Sequence, residues 1–206
     1  MADDGRKRCV WPGADADYVR YHDDEWGRPV TDDVRLYEKL CLEGFQSGLS
    51  WITILRKRDN FRRAFAGFDP TRVAAFDQGD IDRLLNDAGI VRHRGKIEAA
   101  IANAHGTLAA QERYGSLAAV VWSVEPKRNR RPAPKAMGDI PAQTPESVEL
   151  SKRLKRLGFR FVGPTTAYAA MQSLGVVNDH LRGCFARSEC EAERAVAPVP
   201  APIPDG

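Results

Sequence analysis

The chain has 206 residues, with 31 Lys and Arg against 28 Asp and Glu and only four Cys and four His. That length suits one or two small domains with an independent core, and 43% hydrophobic with 29% charged residues excludes a disordered or collagen-like chain. No apolar run approaches the ~18 residues of a membrane span, and Asp3, Asp4, Arg6, Lys7 and Arg8 stand where a secretory signal would be apolar.

A cytoplasmic protein without a membrane partner or a disulfide framework is therefore expected. Helical punctuation dominates the chain. Thr31 is placed to cap a helix over residues 32–42, with Asp32 and Asp33 at its positive end. Ser50 is placed to cap the next, which carries Trp51, Ile52, Leu55 and Phe65 near one face until Asp69-Pro70 stops it. Asp80 opens a short helix to Leu85, and Gly89 is expected to end it in a left-handed turn. Beyond Arg94-Gly95, Ile97, Ile101 and Ala104 recur at helical spacing. Residues 127–141 are basic, contain Pro132, Pro134 and Pro141, and read as a long loop. Thr144-Pro145 starts a helix that Gly158 closes, and a last helix runs from Pro164 to about Leu174, stopped by Gly175. No segment alternates with period two, so the fold class is all-α.

Charge is uneven along the chain. Residues 127–160 hold ten Lys and Arg against three acids, which fits either a solvated loop and helix face or a polyanion-binding surface. Two helix–turn–helix segments, 82–104 and 154–174, share a layout. In the second, Gly163 leads into a helix N-terminus whose free N–H groups can hold a phosphate, although the pattern alone fits an ordinary helical hairpin better. Cys9 and His22 lie near the start, and His180-x3-Cys184 has the spacing of one helical face. Together they would complete a closed tetrahedral Zn2+ site of structural type, in an order that matches no standard finger. Cys41 reads as a buried hydrophobe, Cys190 as a free surface thiol, and His93 and His105 as surface residues or caps.

Several blocks together resemble one known family. Cys9-Val10-Trp11, Tyr21-His22-Asp23-Asp24-Glu25-Trp26-Gly27, Leu42-Glu43-Gly44-Phe45-Gln46-Ser47-Gly48-Leu49-Ser50-Trp51-Ile52, Asp87-Ala88-Gly89-Ile90-Val91-Arg92-His93-Arg94-Gly95-Lys96-Ile97 and Val177-Asn178-Asp179-His180 are similar to the 3-methyladenine DNA glycosylase I family, in the same order. The resemblance implies a zinc-containing helix-hairpin-helix DNA glycosylase, with Cys9, His22, His180 and Cys184 as ligands of one structural Zn2+ that joins the chain ends. It implies a two-lobed unit over residues 1–190, monomeric, acting on damaged double-stranded DNA. Residues 191–206, with Pro198, Pro200, Pro202 and Pro204, are left as a disordered Ala/Pro-rich tail.

A glycosylase that turns its base out of the stack needs aromatic faces and a few polar readers. Tyr21, Trp51, Trp26 and Trp11 can supply faces on which an alkylated, electron-deficient purine would stack. By resemblance, Tyr21 and Trp51 sandwich the base and Glu43 contacts it as the catalytic carboxylate, though alone Glu43 also fits a solvated helix-end acid. Gly48 and Leu49 are expected to fill the gap in the duplex, and Gly163, Thr165 and Thr166 to hold the DNA backbone. Many members of the superfamily carry an Asp where Asn178 stands here, and bifunctional ones a Lys within the hairpin, which here reads Val162-Gly163-Pro164-Thr165-Thr166. A monofunctional hydrolase is the expectation. A non-catalytic lesion-binding module and a zinc hydrolase with metal-activated water are the competing readings.

Overall fold

The computed structural model describes residues 4–127, 131–201 and 203, and no strand occurs among them. Ten α-helices follow in order: α1 (Ala16–Asp24), α2 (Asp33–Gln46), α3 (Trp51–Ala64), α4 (Pro70–Ala74), α5 (Gln78–Asn86), α6 (Arg94–Tyr114), α7 (Leu117–Trp122), α8 (Pro145–Arg156), α9 (Pro164–Ser173) and α10 (Phe185–Val196). Helix α2 is the centre of the packing, against α3, α6, α7 and α9. Its Leu36, Tyr37, Leu40, Leu42 and Phe45 are essentially without solvent exposure. Burial of that kind contributes about 1.5–3 kcal/mol for each large side chain, so α2 is a rigid base for any group it carries.

The helix starts show how local chemistry and packing divide the work. Asp32, not Thr31, caps α2, accepting from the Arg35 amide at 2.9 Å. Asp33 is then free to act across the fold. Its carboxylate accepts the Leu117 and Ala118 amides at 3.0 and 2.9 Å and so caps α7, a contact no local pattern reveals. Ser50 stands at the N-cap of α3 without a capping bond, its hydroxyl meeting Thr53 instead. Asp77, rather than Asp80, caps α5, with Asp80 answering at the third position. Gly89 is not left-handed. It is needed for space, because a Cβ there would lie 2.9 Å from Asp87 Oδ1 and 3.1 Å from Asn60 Nδ2. Thr144 and Gly158 bound α8, and Gly175 follows α9, as the sequence indicates.

The C-terminal boundary moves. Residues 191–196, placed in the tail by composition, complete α10, which buries Ala186, Cys190 and Arg194 one turn apart. Arg194 reaches Glu125 at 2.8 Å and the Val176 carbonyl at 2.9 Å. Cys190 is fully buried rather than a surface thiol, and burial pushes it up to about 12. Val199 and Ile203 of the Pro-rich end pack against the main core, since an extended segment can lay apolar side chains on a neighbour without a hydrogen-bond ladder of its own. Pro202 and residues 204–206 lie outside the described residues.

Candidate active site and metal centre

The two ends of the chain meet at four buried donors. Cys9, His22, His180 and Cys184 place one ligand atom each within 4.8 Å of one another. Cys184 Sγ lies 3.5 Å from both His22 Nε2 and His180 Nδ1, and Cys9 Sγ lies 3.6 Å from His180 Nδ1. Tetrahedral ligands about 2.0–2.3 Å from a metal stand roughly 3.3–3.8 Å apart, so these spacings fit one ion. The remaining ring nitrogens are held: His22 Nδ1 meets Asp23 Oδ1 at 2.8 Å and His180 Nε2 meets the Trp26 carbonyl at 2.9 Å. Such outer bonds orient histidine ligands. The Cys184 thiol is held far below its ordinary range by the Cys9 thiol beside it and then by the two imidazoles. His180 and Cys184 do not share a helical face. They flank a turn closed by the Cys184 amide on the Leu181 carbonyl, with Gly183 at φ +84°. Gly27, also left-handed, admits the His180 ring, which a Cβ would meet at 3.0 Å.

Beside this cluster lies a cleft of about 370 Å3 lined by Trp11, Tyr21, Trp26, Trp51 and Glu43, together with Tyr18, Gln46 and Gln172. The five residues expected to form a base pocket therefore converge. Trp11 and Trp26 are shared walls: their rings pack edge-on at 5.3 Å, and Trp26 is also edge-on to His180 at 4.7 Å. The Tyr21 and Trp51 rings stand 5.4 Å apart between centroids, tilted 43° to one another. Glu43 is 6% exposed, so the solvated-acid alternative fails. Burial pushes its carboxyl above the usual range, opposed by the Lys39 ammonium 3.4 Å away. The Trp51 indole N–H is buried without an acceptor among the described residues, an unspent donor at the site. Met137 and Ile140, from the proline-rich loop, close the far side.

Leu49 stands 43% exposed on the turn between α2 and α3, after Gly48 at φ +82°. Lys96, at the start of α6, fixes that turn by donating to the Phe45 and Ser47 carbonyls at 2.9 and 2.6 Å. The α8–α9 turn is held from behind. Asn103 accepts the Arg160 amide at 2.7 Å and donates to its carbonyl at 3.3 Å, while the Ser151 hydroxyl donates to the Val162 carbonyl at 2.6 Å. Gly106 makes room for it, since a Cβ would stand 2.5 Å from the Phe159 ring. The turn lies against the end of α2, where a Cβ on Gly44 would approach Phe161 at 3.2 Å. Gly163 is the N-cap of α9 without a side-chain cap, and Thr165 is exposed beside it. Not all of the basic stretch faces outward. Arg131 pairs with buried Asp179 at 2.6 Å, and Arg153 and Arg156 reach Glu149. Lys152, Lys155 and Arg160 are exposed. Arg128 and Arg130 lie outside the described residues.

Residues 11–187 match the methyladenine glycosylase family model. The chain belongs to that family. It is 48% identical to the DNA-3-methyladenine glycosylase 1 of Escherichia coli (strain K12), an alignment covering 86% of this chain and 95% of that one. The Haemophilus influenzae DNA-3-methyladenine glycosylase is 45% identical over 86% of this chain and 96% of its own length. A crystal structure of 3-methyladenine DNA glycosylase I superposes with a TM-score of 0.82 at 49% identity, covering 87% of this chain and 98% of that one. The Staphylococcus aureus enzyme, solved to explain 3-methyladenine recognition, superposes equally well at 36% identity, over 87% and 96% of the two chains.

As a glycosylase the protein is a hydrolase. Sequence reasoning passed over Lys39, which sits among Tyr21, Trp51 and Glu43. Its position one helical turn before Glu43 was the available signal. It passed over Tyr18, Gln46, Gln172, Met137 and Ile140 because cleft walls assembled from separate segments leave no local pattern. Asn178 points away from the cleft chemistry: it donates to the Arg187 carbonyl at 3.0 Å and to Glu191 at 2.8 Å, tying the metal loop to α10. Asp179 is buried and engaged by the Tyr168 hydroxyl, Gln172 and Arg131.

Proposed function

We propose that the glycosylase turns 3-methyladenine out of alkylated double-stranded DNA and hydrolyses its N-glycosidic bond, leaving an abasic site without cutting the strand. The observation that carries this reading is Glu43, a buried carboxylate in a cleft walled by Tyr21, Trp51, Trp26 and Trp11. A purine methylated at N3 is a cation until it departs, so it is attracted to π-faces and to an anion in a dry site. Glu43 accepts the exocyclic amine, and the aromatic walls replace the stacking lost from the duplex. Departure of a cation as a neutral base needs little acid catalysis, so binding and desolvation supply the rate. Glu43 is the carboxylate lining the cleft among the described residues, and Asn178 and Asp179 are occupied elsewhere. The enzyme is accordingly restricted to bases whose glycosidic bond alkylation has already weakened.

Zn2+ fits the Cys9, His22, His180 and Cys184 donors, and a closed four-ligand set has no open position for an activated water. The metal's contribution when bound is structural: it fastens the N-terminal segment to the start of α10 and so steadies the Trp11 and Trp26 walls. Leu49 enters the gap left by the base, while Gly48 lets the backbone approach and Gly163, Thr165 and Thr166 present N–H groups to the DNA backbone. The protein acts as a cytoplasmic monomer in this reading.

Chromatography of bases released from methylated duplex DNA tests it. Free 3-methyladenine and alkali-labile, uncut strands are expected, with no covalent adduct trapped by borohydride. Absence of released base from well-folded protein would sink the reading, and trapping would sink the monofunctional part. Binding should also weaken steeply with salt. Lys155→Glu or Arg160→Glu should lower affinity several-fold and flatten the log–log salt slope by about one, with base preference unchanged. A salt-independent affinity would move the DNA surface elsewhere.

A further inference from the structure

An ammonium group placed inside a protein loses several kcal/mol of hydration unless a partner balances it. Lys39 is such a group, its side chain only 12% exposed. Its Nζ stands 3.4 Å from Glu43 Oε1 and donates to the Tyr21 hydroxyl. The same atom lies 3.5 Å from the Trp51 ring centroid and 4.7 Å from that of Tyr21. Three groups assigned to the base thus meet on one cation, which is not itself among the residues lining the cleft.

The other acids around Lys39 are engaged by arginines of α3. Glu25, following α1, is held by two bonds from Arg58 of α3, at 2.5 and 2.9 Å. Glu38, on α2 itself, accepts from Arg62 of α3 at 2.8 Å. Arg35 lines the same polar crevice behind the aromatic pair, and from α9 the Ser173 hydroxyl donates to Glu43 Oε1 at 3.4 Å. Among the described residues, Lys39 is the cation within ion-pair distance of Glu43.

We propose that Lys39 is the positioning residue for Glu43: it keeps the carboxylate ionised and aimed in a site too dry to ionise it unaided, so that the alkylated base meets an anion rather than a neutral acid. This rests on the reading of Glu43 as the base acceptor. Burial drives the two groups in opposite directions, Glu43 upward and Lys39 down to about 8, and each is the largest influence opposing the other's shift. An opposite charge within about 4–6 Å moves a carboxyl by about one to three pH units. Without Lys39, Glu43 would take up a proton well before pH falls to the ordinary carboxyl range.

Titration of 13C-labelled glutamate carboxyls by NMR tests this without reference to activity, the Glu43 signal being assigned by its loss in Glu43→Gln. In Lys39→Met the Glu43 midpoint should rise by about one to three pH units, and in Lys39→Arg it should stay near that of wild type. The acid limb of kcat/KM should move with it in Lys39→Met and return in Lys39→Arg. Wild type should show a second inflection of the Glu43 signal near pH 8, as Lys39 loses its proton. That measurement needs no variant and decides the matter if Lys39→Met fails to fold. An unmoved midpoint in Lys39→Met, or a wild-type signal flat through the alkaline range, overturns the proposal. A midpoint that moves while the activity profile stays put supports the counter-ion role and overturns Glu43 as the base acceptor.

Discussion

Glu43→Gln should lower kcat/KM for release of 3-methyladenine by about 10²–10³-fold while leaving the fold and DNA binding in place. Removing one oriented hydrogen-bonding group that answers charge changing in a water-poor site costs about 2.7–4 kcal/mol, which is a loss of that size. The amide keeps the volume and one acceptor oxygen of the acid but not its charge, so base stacking survives and attraction to the cation does not. Lys39 is simultaneously deprived of its partner 3.4 Å away, which adds to the cost. The effect should depend on pH in a defined direction. Because burial raises the Glu43 carboxyl, wild-type kcat/KM should fall as pH drops through a midpoint above the ordinary carboxyl value, and Glu43→Gln should lack that limb. Near-wild-type release by Glu43→Gln, measured by chromatography of free bases, would remove the carboxylate from the chemistry. That result would favour a site working by stacking and shape alone.

Metal removal should be the largest structural perturbation available. The protein as purified should hold about one Zn2+ per chain by elemental analysis, and chelation or Cys184→Ala should lower its melting temperature by about 10–20 °C. Structural zinc is worth on the order of 10 kcal/mol in small modules, and a chain of this size loses about 2–4 °C per kcal/mol, so even half of that contribution reaches the stated range. The reason for the sensitivity is topological. The ligands come from residues 9, 22, 180 and 184, so one ion closes nearly the whole chain into a loop. Other ties between the ends include the Phe185 amide on the Lys7 carbonyl, the Leu181 amide on Cys9 Sγ, the His180 ring on the Trp26 carbonyl, and Arg28 with Glu189 and Glu193 of α10. Loss of metal should also weaken the base site, because Trp26 and Trp11 lie directly between the ligands and the cleft. A melting temperature indifferent to chelation, with no metal in the native protein, would overturn the assignment.

How much of this was readable before folding differs by element. The starts of α6, α8 and α9 carry their own signals, a cap, a proline at the first position or a glycine beyond the end, and the structure places them accordingly. Four helices escaped, among them α4, whose Asp69-Pro70 start, a cap followed by proline at the first position, was read only as the stop of the helix before it. Helix α7 is six apolar residues buried on every side, so it has no periodic pattern, and its start is satisfied in part by Asp33 from α2. Helix α1 is mostly polar, its buried residues being Tyr21 and His22. Helix α10 buries a cysteine and an arginine in its inward stripe, and its second half runs into the Ala/Pro-rich composition that read as tail. The misplaced caps at Asp32 and Asp77 are shifts of one and three residues among neighbouring Asp and Thr side chains. Any of these can accept an amide, and only the packed helix axis selects one.

The site divides along the same line. Residue pattern was enough for an all-helical class, while Cys9, His22, His180 and Cys184, and the set Tyr21, Trp51, Trp26, Trp11 and Glu43, were singled out through the resemblance, and the fold brings each set together. Distance along the chain carried no information about which charges neutralise one another. The basic residues of 127–160 read as a solvated face or a polyanion-binding surface, yet Arg131 turns inward to Asp179 and the largely buried Arg153 pairs with Glu149. Cys190 looked like a solvent-exposed thiol and is buried. Lys39 drew no reading from the sequence and lies 3.4 Å from the Glu43 carboxylate. Ionisation, burial and partnership depend on what other segments bring within a few ångströms, and here α1, α2, α3 and α9 converge on one point. A local pattern can name the groups that do the chemistry. Only the folded chain settles the charge state in which they do it.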